Sequence, residues 1–579
     1  MLTADNLIMK VDYGKTGTYF YLVGLILIGI FLPTSKFGLS VSQFYLLALW
    51  LLLGLDMRAV NKMFMEKPLV NRILSRIAVS FKGIWFNIKT RFNDFMHNKV
   101  AVVMVSIYVM HFVGLIFTSD FQYAFKDIRI KLPLLVFPII LSSMKPLSRK
   151  QFDAVLWFFI CSVFFVTILG TIKFLRRDFV DVRELSVFVS HIRVSLCIVF
   201  SIFILGYYLV RRNYSPIMKA VVVVLIMWFL WQVLILESFI GILIIAALCI
   251  VLTLYFIFRT KNRIARICSI IVAVAFMAIL FCYPYKVIRD YNTPEKVVVE
   301  QLDTHTKLGN PYVFDTICYG IEDGRYVGLY LSKQEMMDAW NARSDKKINR
   351  EFDDGYASLV RYLTSKDLRK DAEGVSQLTD DDIRNIENGI SNYNYIENPG
   401  IKTRIMKIMV AYGNYKKSKD ANGSSVFQRV EYIKASLNII KENPLVGVGT
   451  GDIADAFANY YEETDSKLLP EYRFRSHNQY LAIAVAFGIV GLLWYLFALL
   501  YPAVADKKNR NYLYLIFMFI MMLSMFTEDT LETQIGVTLF AFFNSFLVFA
   551  MPLDVDEKSS ESEQQIREEI PDRRDPYSE

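Results

Sequence analysis

The sequence predicts an all-α polytopic membrane protein of about 12 transmembrane helices, with a large α-rich extracytoplasmic loop domain between helices 9 and 10. Three observations predict it. Of 579 residues, 54% are hydrophobic and 15% aromatic. The apolar residues gather in blocks of about 17–25, each long enough to cross about 30 Å of hydrocarbon as a helix. Basic turns alternate with the blocks, as the positive-inside rule expects of a cytoplasmic face. Helices are the default spanning element because lipid offers no partner to an unsatisfied backbone group.

The first span, 19–31, follows Lys10 and Lys15 without a small-residue cleavage site, so it reads as a span and not as a signal peptide. The second is 41–55. A basic segment, 57–99, interleaves Arg and Lys with Ile, Phe and Trp85 and predicts an amphipathic helix with a solvated cytoplasmic face. Spans follow near 100–118, 132–143, 154–174, 191–210, 220–236, 240–258 and 267–283, completing an N-terminal bundle over 1–285. Hydropathy then stops over 286–476. Three more spans, 480–500, 512–526 and 535–552, lie in a C-terminal unit, 477–552. An acidic tail, 553–579, reads as disordered.

An even number of spans places both termini on one side. The basic turns at 57–99, 145–150, 211–219, 259–266 and 507–510 all fall there, so that side is cytoplasmic and the 286–476 region is periplasmic. The net charge is +8, which in a membrane protein reflects loop charge, and nucleic acid is not an expected partner. Arg129, Lys131, Arg176, Arg177, Arg193, Arg429, Arg473 and Arg475 fall on the outer side, against the rule. An anionic ligand at the outer surface is one reason. The six cysteines read as free packed thiols. No CxxC or His-rich cluster suggests a metal, no Walker loop suggests nucleotide hydrolysis, and no cofactor is expected.

Within 286–476, GNPYVFDTICYGIEDGRYVGLYLS predicts a hairpin around the Asp-Gly turn in EDGR. KQEMMDAWNAR, LVRYLTSKDLRK, LTDDDIRNIENGI and IKTRIMKIMVAYGNYKK carry apolar residues at helical spacing, with Thr379 as a cap and Asp382 three residues on.

The residues able to carry chemistry cluster over 427–491. His477 stands at the threshold of the tenth span, where an imidazole can take a proton from a hydroxyl near neutral pH. A boundary histidine can equally be an interfacial hydrogen-bonding residue. Asn478 and Gln479 offer amides to sugar hydroxyls or to the ring. Arg429 opens a helix and can bind phosphate oxygens. Gly447, Gly449 and Gly451 can form an anion nest or simply a turn. His191 and Arg193 open the sixth span, where Arg193 either faces a polar cavity or snorkels. Glu528, Asp529, Glu532 and Gln534 read as a solvated outer turn, with orientation of a catalytic Arg or His as the alternative.

His477-Asn478, nine residues, then Gly488-Ile-Val-Gly491 resembles the H-[NSQ]-x9-G-x-x-[GTY] motif of the O-antigen ligase-related family. That family comprises lipopolysaccharide O-antigen ligases, O-antigen polymerases and protein O-oligosaccharyltransferases. Arg429 with NPLVGVGTGD is similar to its upstream pattern. The resemblance implies a metal-independent, inverting glycosyltransferase that moves a glycan from undecaprenyl pyrophosphate to an acceptor hydroxyl outside the inner membrane. It further implies that Arg429, and by position Arg193, bind pyrophosphate, and that His477 either activates the acceptor hydroxyl as general base or holds acceptor and donor in register. Lipid A–core is the expected acceptor. A second lipid-linked glycan or a protein hydroxyl are the nearest alternatives. Ser238 is followed by Phe239 where relatives often carry Arg, a departure that puts that donor contact in doubt. A flippase for lipid-linked oligosaccharide is the rival of another class, but it predicts inverted repeats and charges at membrane depth, whereas these charges gather at the outer boundary.

Overall fold

The computed structural model describes residues 14–53, 69–176, 179, 181–298, 302–351, 353, 355–398, 400–505 and 512–552, with side chains from 83 onward in the helix that begins at Leu69. The acidic tail, the 507–510 turn, Arg177 and much of the 57–99 segment lie outside the described residues.

The bundle opens with α1 (Gly14–Phe31), α2 (Lys36–Leu52), α3 (Leu69–His97), α4 (Lys99–Val113), α5 (Phe121–Lys131), α6 (Pro133–Ser143) and α7 (Arg149–Leu175). It continues with α8 (His191–Arg211), α9 (Pro216–Ile235), α10 (Phe239–Arg259) and α11 (Arg263–Asn292). Polar caps set the starts. Asn98 accepts from Ala101 N–H, and Ser148 and Gln151 form a reciprocal capping box. Among the described residues seven helical stretches are long and apolar enough to cross a membrane: 99–117, α7–α11, and Gln479–Ala505. Four shorter apolar helices of 10–17 residues overlap four further expected spans without meeting the length of a full crossing. The remaining one is α6, 11 residues with Pro138 inside. The chain is thus a helical membrane protein.

The bundle core is aromatic. Phe159, Phe200, Phe517 and Phe543 pack at centroid distances of 4.9–6.1 Å, and Phe152 stacks on Phe546 at 4.7 Å. By contrast the apolar window of α11 is unburied, as suits a lipid-facing helix. In α3, where a solvated face was expected, Arg91 is 1% exposed and donates to the Leu53 carbonyl at 2.6 Å. That carbonyl ends α2 and has no intrahelical donor, so a buried guanidinium satisfies it.

The polar region holds β1 (Val313–Asp315), β2 (Ile321–Glu322), β3 (Arg325–Tyr326) and β4 (Gly328–Leu331), as two antiparallel two-stranded ribbons. The β2–β3 turn has positive φ at Asp323 (51°) and Gly324 (77°), the geometry an Asp-Gly hairpin favours. Its helices are α12 (Lys333–Arg343), α13 (Tyr356–Ser365), α14 (Ala372–Ser376), α15 (Asp380–Glu387), α16 (Asn394–Glu397), α17 (Ile401–Ser418), α18 (Ser425–Glu442) and α19 (Ile453–Glu463). Thr379 and Asp382 form the expected cap on α15. Residues from Val327 to Ile390 bury a core of their own around Trp340, whereas Tyr432, Ile439, Phe457 and Tyr461 belong to the bundle core. The second half of the polar region is therefore an extension of the bundle. The chain ends in α20 (Gln479–Ala505), α21 (Tyr512–Ser524) and α22 (Gln534–Phe549). All six cysteines are free.

Candidate active site

The site forms where α18, the start of α20 and the α21–α22 turn meet. Asn478 caps α20, its Oδ1 accepting from Leu481 N–H at 3.0 Å. His477 precedes it with φ 43°, a left-handed conformation that costs about 1–3 kcal/mol in a non-glycine residue. The ring lies between Tyr432, 5.3 Å away, and Phe474 at 5.9 Å. Its Nδ1 stands 3.7 Å from Asp529 Oδ1 and 3.9 Å from Glu528 Oε2, without a hydrogen-bond partner.

Glu528 and Asp529 are 5% and 8% exposed, so the acidic turn is not the solvated turn expected. The reason is the number of cations around it. Arg429 Nη2 donates to Glu528 Oε1 at 2.5 Å, and Arg429 Nε donates to the Thr527 carbonyl at 3.1 Å. Burial opposes charge on Glu528, but His477, Arg429 and Arg193 outweigh it and hold the carboxyl below its ordinary value. Asp529 goes the other way. Burial pushes its carboxyl up, and His477 and Arg475 offset only part.

A second layer fixes the turn. Lys131 Nζ donates to Asp127 and to Glu532 (2.9 Å), and Arg475 donates to Tyr123 Oη (2.6 Å) and Glu532 (3.2 Å). Burial works against Glu532, yet Lys131 and Arg475 keep it ionised, below the carboxylate range. Two outer-side cations thus answer to protein carboxylates and not to a ligand. Gln479, fully buried, accepts from Leu531 N–H at 2.6 Å and donates to Glu532 at 3.3 Å. Asn478 donates to the Phe526 carbonyl at 2.9 Å. Both amides hold the acidic turn against α20.

Arg193 is 4% exposed, so it does not snorkel. Its Nη2 reaches Thr533 Oγ1 at 3.4 Å, its Nη1 is unpartnered, and its charge acts on Glu528 and Asp529. It belongs to the same corner as Arg429 and His477.

Gly447 and Gly449 do not. Thirteen helical residues separate Arg429 from the end of α18, about 20 Å at 1.5 Å per residue. The glycine loop pairs instead with α20, which is broken at Gly488 (φ 65°). Gly447 N–H donates to Asn443 O at 3.2 Å, Gly449 N–H to Ala486 O at 2.9 Å, and Gly451 N–H to Thr118 Oγ1 at 3.1 Å. These amides are engaged within the protein and frame no nest.

Residues 374–496 match the family model described as O-antigen ligase. This segment is similar to O-antigen ligases. It runs from α14 into α20 and holds Arg429, the glycine loop, His477, Asn478 and Gln479. The similarity to O-antigen ligases implies, in general terms, a lipid-linked glycan donor and an acceptor. No curated protein matches the chain. Arg193 and the carboxylates of the 528–532 turn lie outside the matched segment, although they share a corner with Arg429 and His477.

His477, Glu528 and Asp529 place ligand atoms within 4.8 Å of one another, a set that could hold a cation. Arg193 and Arg429 both act on Glu528 and oppose a further positive charge there. The sequence points to Glu528, Asp529 and Glu532 as an outer acidic turn but not to its burial. The available signal was a run of three carboxylates between apolar blocks, opposite outer arginines in need of partners.

Proposed function

We propose that the protein is a metal-independent, inverting glycosyltransferase that moves a glycan from undecaprenyl pyrophosphate to an acceptor hydroxyl at the outer face of the inner membrane, with lipid A–core as acceptor. The juxtaposition of His477 with the Arg429–Glu528 pair carries this reading. The acceptor oxygen attacks the anomeric carbon from the face opposite the pyrophosphate. The new C–O bond forms as the bond to the phosphate oxygen breaks, and undecaprenyl pyrophosphate leaves with the electron pair. The hydroxyl proton passes to His477 Nε2. Glu528 and Asp529, on the Nδ1 side, stabilise the imidazolium that results. Arg429 engages three nitrogens with protein acceptors, which leaves two N–H groups for phosphate oxygens. With Arg193 it steadies the charge on the leaving group. Asn478 and Gln479 position the ring and the acidic turn. Gly447 and Gly449 hold the kinked α20, whose N-terminal end His477 precedes. The large loop is periplasmic and both termini are cytoplasmic in this reading.

The test is to supply the purified protein with a polyprenyl-pyrophosphate glycan and, in turn, lipid A–core, a second donor molecule and an acceptor protein. A product on lipid A–core is expected. Product on the second donor or on protein selects a polymerase or a protein O-oligosaccharyltransferase. Transfer to none, with glycan crossing vesicles, sinks the proposal in favour of a flippase.

A further inference from the structure

We infer that Arg404, on the first turn of α17, is a third cation of the donor site and joins Arg193 and Arg429 around the two linked phosphates of a pyrophosphate. This rests on the transfer reading above and names a further contact for the same donor.

The argument begins with missing counter-ions. Arg193 is buried, with Nη1 unpartnered. Arg404 has an unpartnered buried Nε, and its Nη2 makes one long contact, 3.4 Å, to Ser425 Oγ. Neither guanidinium forms an ion pair among the described residues. The carboxylate nearest in chemistry, Glu237, is occupied: it accepts from Gly400 N–H and from Lys407 Nζ, both at 3.2 Å. Those two contacts fasten α17 to the turn before α10 and so fix the helix that carries Arg404.

Ser425 links the cations. Its Oγ receives Arg404 Nη2 at 3.4 Å and its carbonyl receives Arg429 Nη1 at 3.1 Å, so one residue touches both guanidinium groups. His191, two residues before Arg193 at the start of α8, shares a field with Arg183, Arg404 and Glu528. Burial lowers the Arg404 guanidinium from its ordinary value, and the like charges of Arg183 and Arg429 add to that against the pull of Glu237. Gathering like charges in a partly buried corner is unfavourable unless an anion joins them. The three guanidinium groups outnumber the two carboxylates beside them, Glu528 and Asp529, which leaves positive charge for the anionic oxygens of a pyrophosphate. Arginine's fork suits adjacent phosphoryl oxygens.

The test measures binding of inorganic pyrophosphate and of inorganic phosphate to the full chain in neutral detergent by calorimetry, for wild type, Arg404→Gln and Lys407→Ala. Arg404→Gln should weaken pyrophosphate binding about 10- to 100-fold, the loss of one set of charge-assisted hydrogen bonds, and phosphate binding less. Lys407→Ala loosens the same helix and frees Glu237 to act on Arg404 but leaves all three guanidinium groups in place, so it should stay within about threefold. Arg404→Lys keeps the charge without the fork. It should fall between the two and carries the test if Arg404→Gln does not fold. Unchanged affinity in Arg404→Gln, equal loss in Lys407→Ala, or no pyrophosphate binding by wild type overturns the inference. In transfer assays Arg404→Gln should raise the donor KM and leave the acceptor KM alone. Wild type that binds pyrophosphate through Arg404 yet transfers to no acceptor sinks the transfer reading alone. Transfer with unaltered donor KM in Arg404→Gln sinks the role of Arg404 alone.

Discussion

The two ends of α18 carry two kinds of polar chemistry. At its start, Arg429 meets Glu528 beside His477, and charged side chains keep unused donors and acceptors. Past its end, residues 443–451 dip against a broken α20, and the backbone groups are consumed: Val448 and Gly449 donate to Val485 and Ala486, and Ile489 donates to Pro444. Irregular backbone within a membrane bundle is tolerated when protein satisfies it in this way. A satisfied glycine loop specifies a shape. An incompletely satisfied cluster of ions is disposed to take a ligand.

The sharpest way to break that contrast is to substitute one residue at each end. His477→Ala should lower transfer about a thousandfold, the scale of a lost general base, with an unchanged melting temperature in detergent. Wild-type turnover in that variant would remove His477 from the chemistry. Gly447→Ala should do the reverse. Its Cβ would sit 2.4 Å from the Ala486 backbone at φ 68°, so roughly 3 kcal/mol of stability should go, read as a lower melting temperature. Lost transfer at full stability would mean that the loop binds substrate after all.

These regions were unequally legible in the sequence. The closeness of His477 and Arg429 was readable because both sit at one boundary. Thr379, the Asp323-Gly324 turn and most helices were readable because caps and turns are local. The glycine loop was not, because whether an amide is free depends on what lies opposite it. Its partners are Val485 and Ala486, about 40 residues on, exposed only by the break at Gly488. The acidic turn failed for the same reason. Three carboxylates in a short loop look solvated until Lys131, Arg429 and Arg475 arrive from three other segments. The polar region also divides where composition gives no sign, since a bundle-facing helix such as α18 and one with its own small core are equally amphipathic.

Glu528→Gln probes the charged end more finely. It removes the partner of Arg429 and one of the two carboxylates near His477 while keeping the shape. Transfer should fall about 10- to 100-fold with the fold intact, the range for removing one charge-assisted contact. Wild-type transfer would reduce Glu528 to a structural neighbour.

The smallest effect concerns acid. Glu528 lies below its ordinary value when folded, so its charged form stabilises the fold. That contribution is complete above the unfolded value, about 4.3, and is lost as pH falls through the folded one. Asp529 is raised by burial, so its charged form is penalised, and its contribution falls as pH climbs from about 3.9 through the folded value. The two adjacent carboxyls therefore tilt the stability curve in opposite directions. In wild type they partly cancel. Asp529→Asn leaves only Glu528 and should lose a few degrees more than wild type between about pH 6 and pH 4, on the order of 1 kcal/mol. Glu528→Gln should lose less than wild type over the same interval, and by a smaller margin, because Glu528 itself contributes to raising Asp529. Melting curves across that interval decide it. Parallel curves for all three proteins would mean that the carboxyls titrate alike, and the division between a paired Glu528 and a penalised Asp529 would have to be given up.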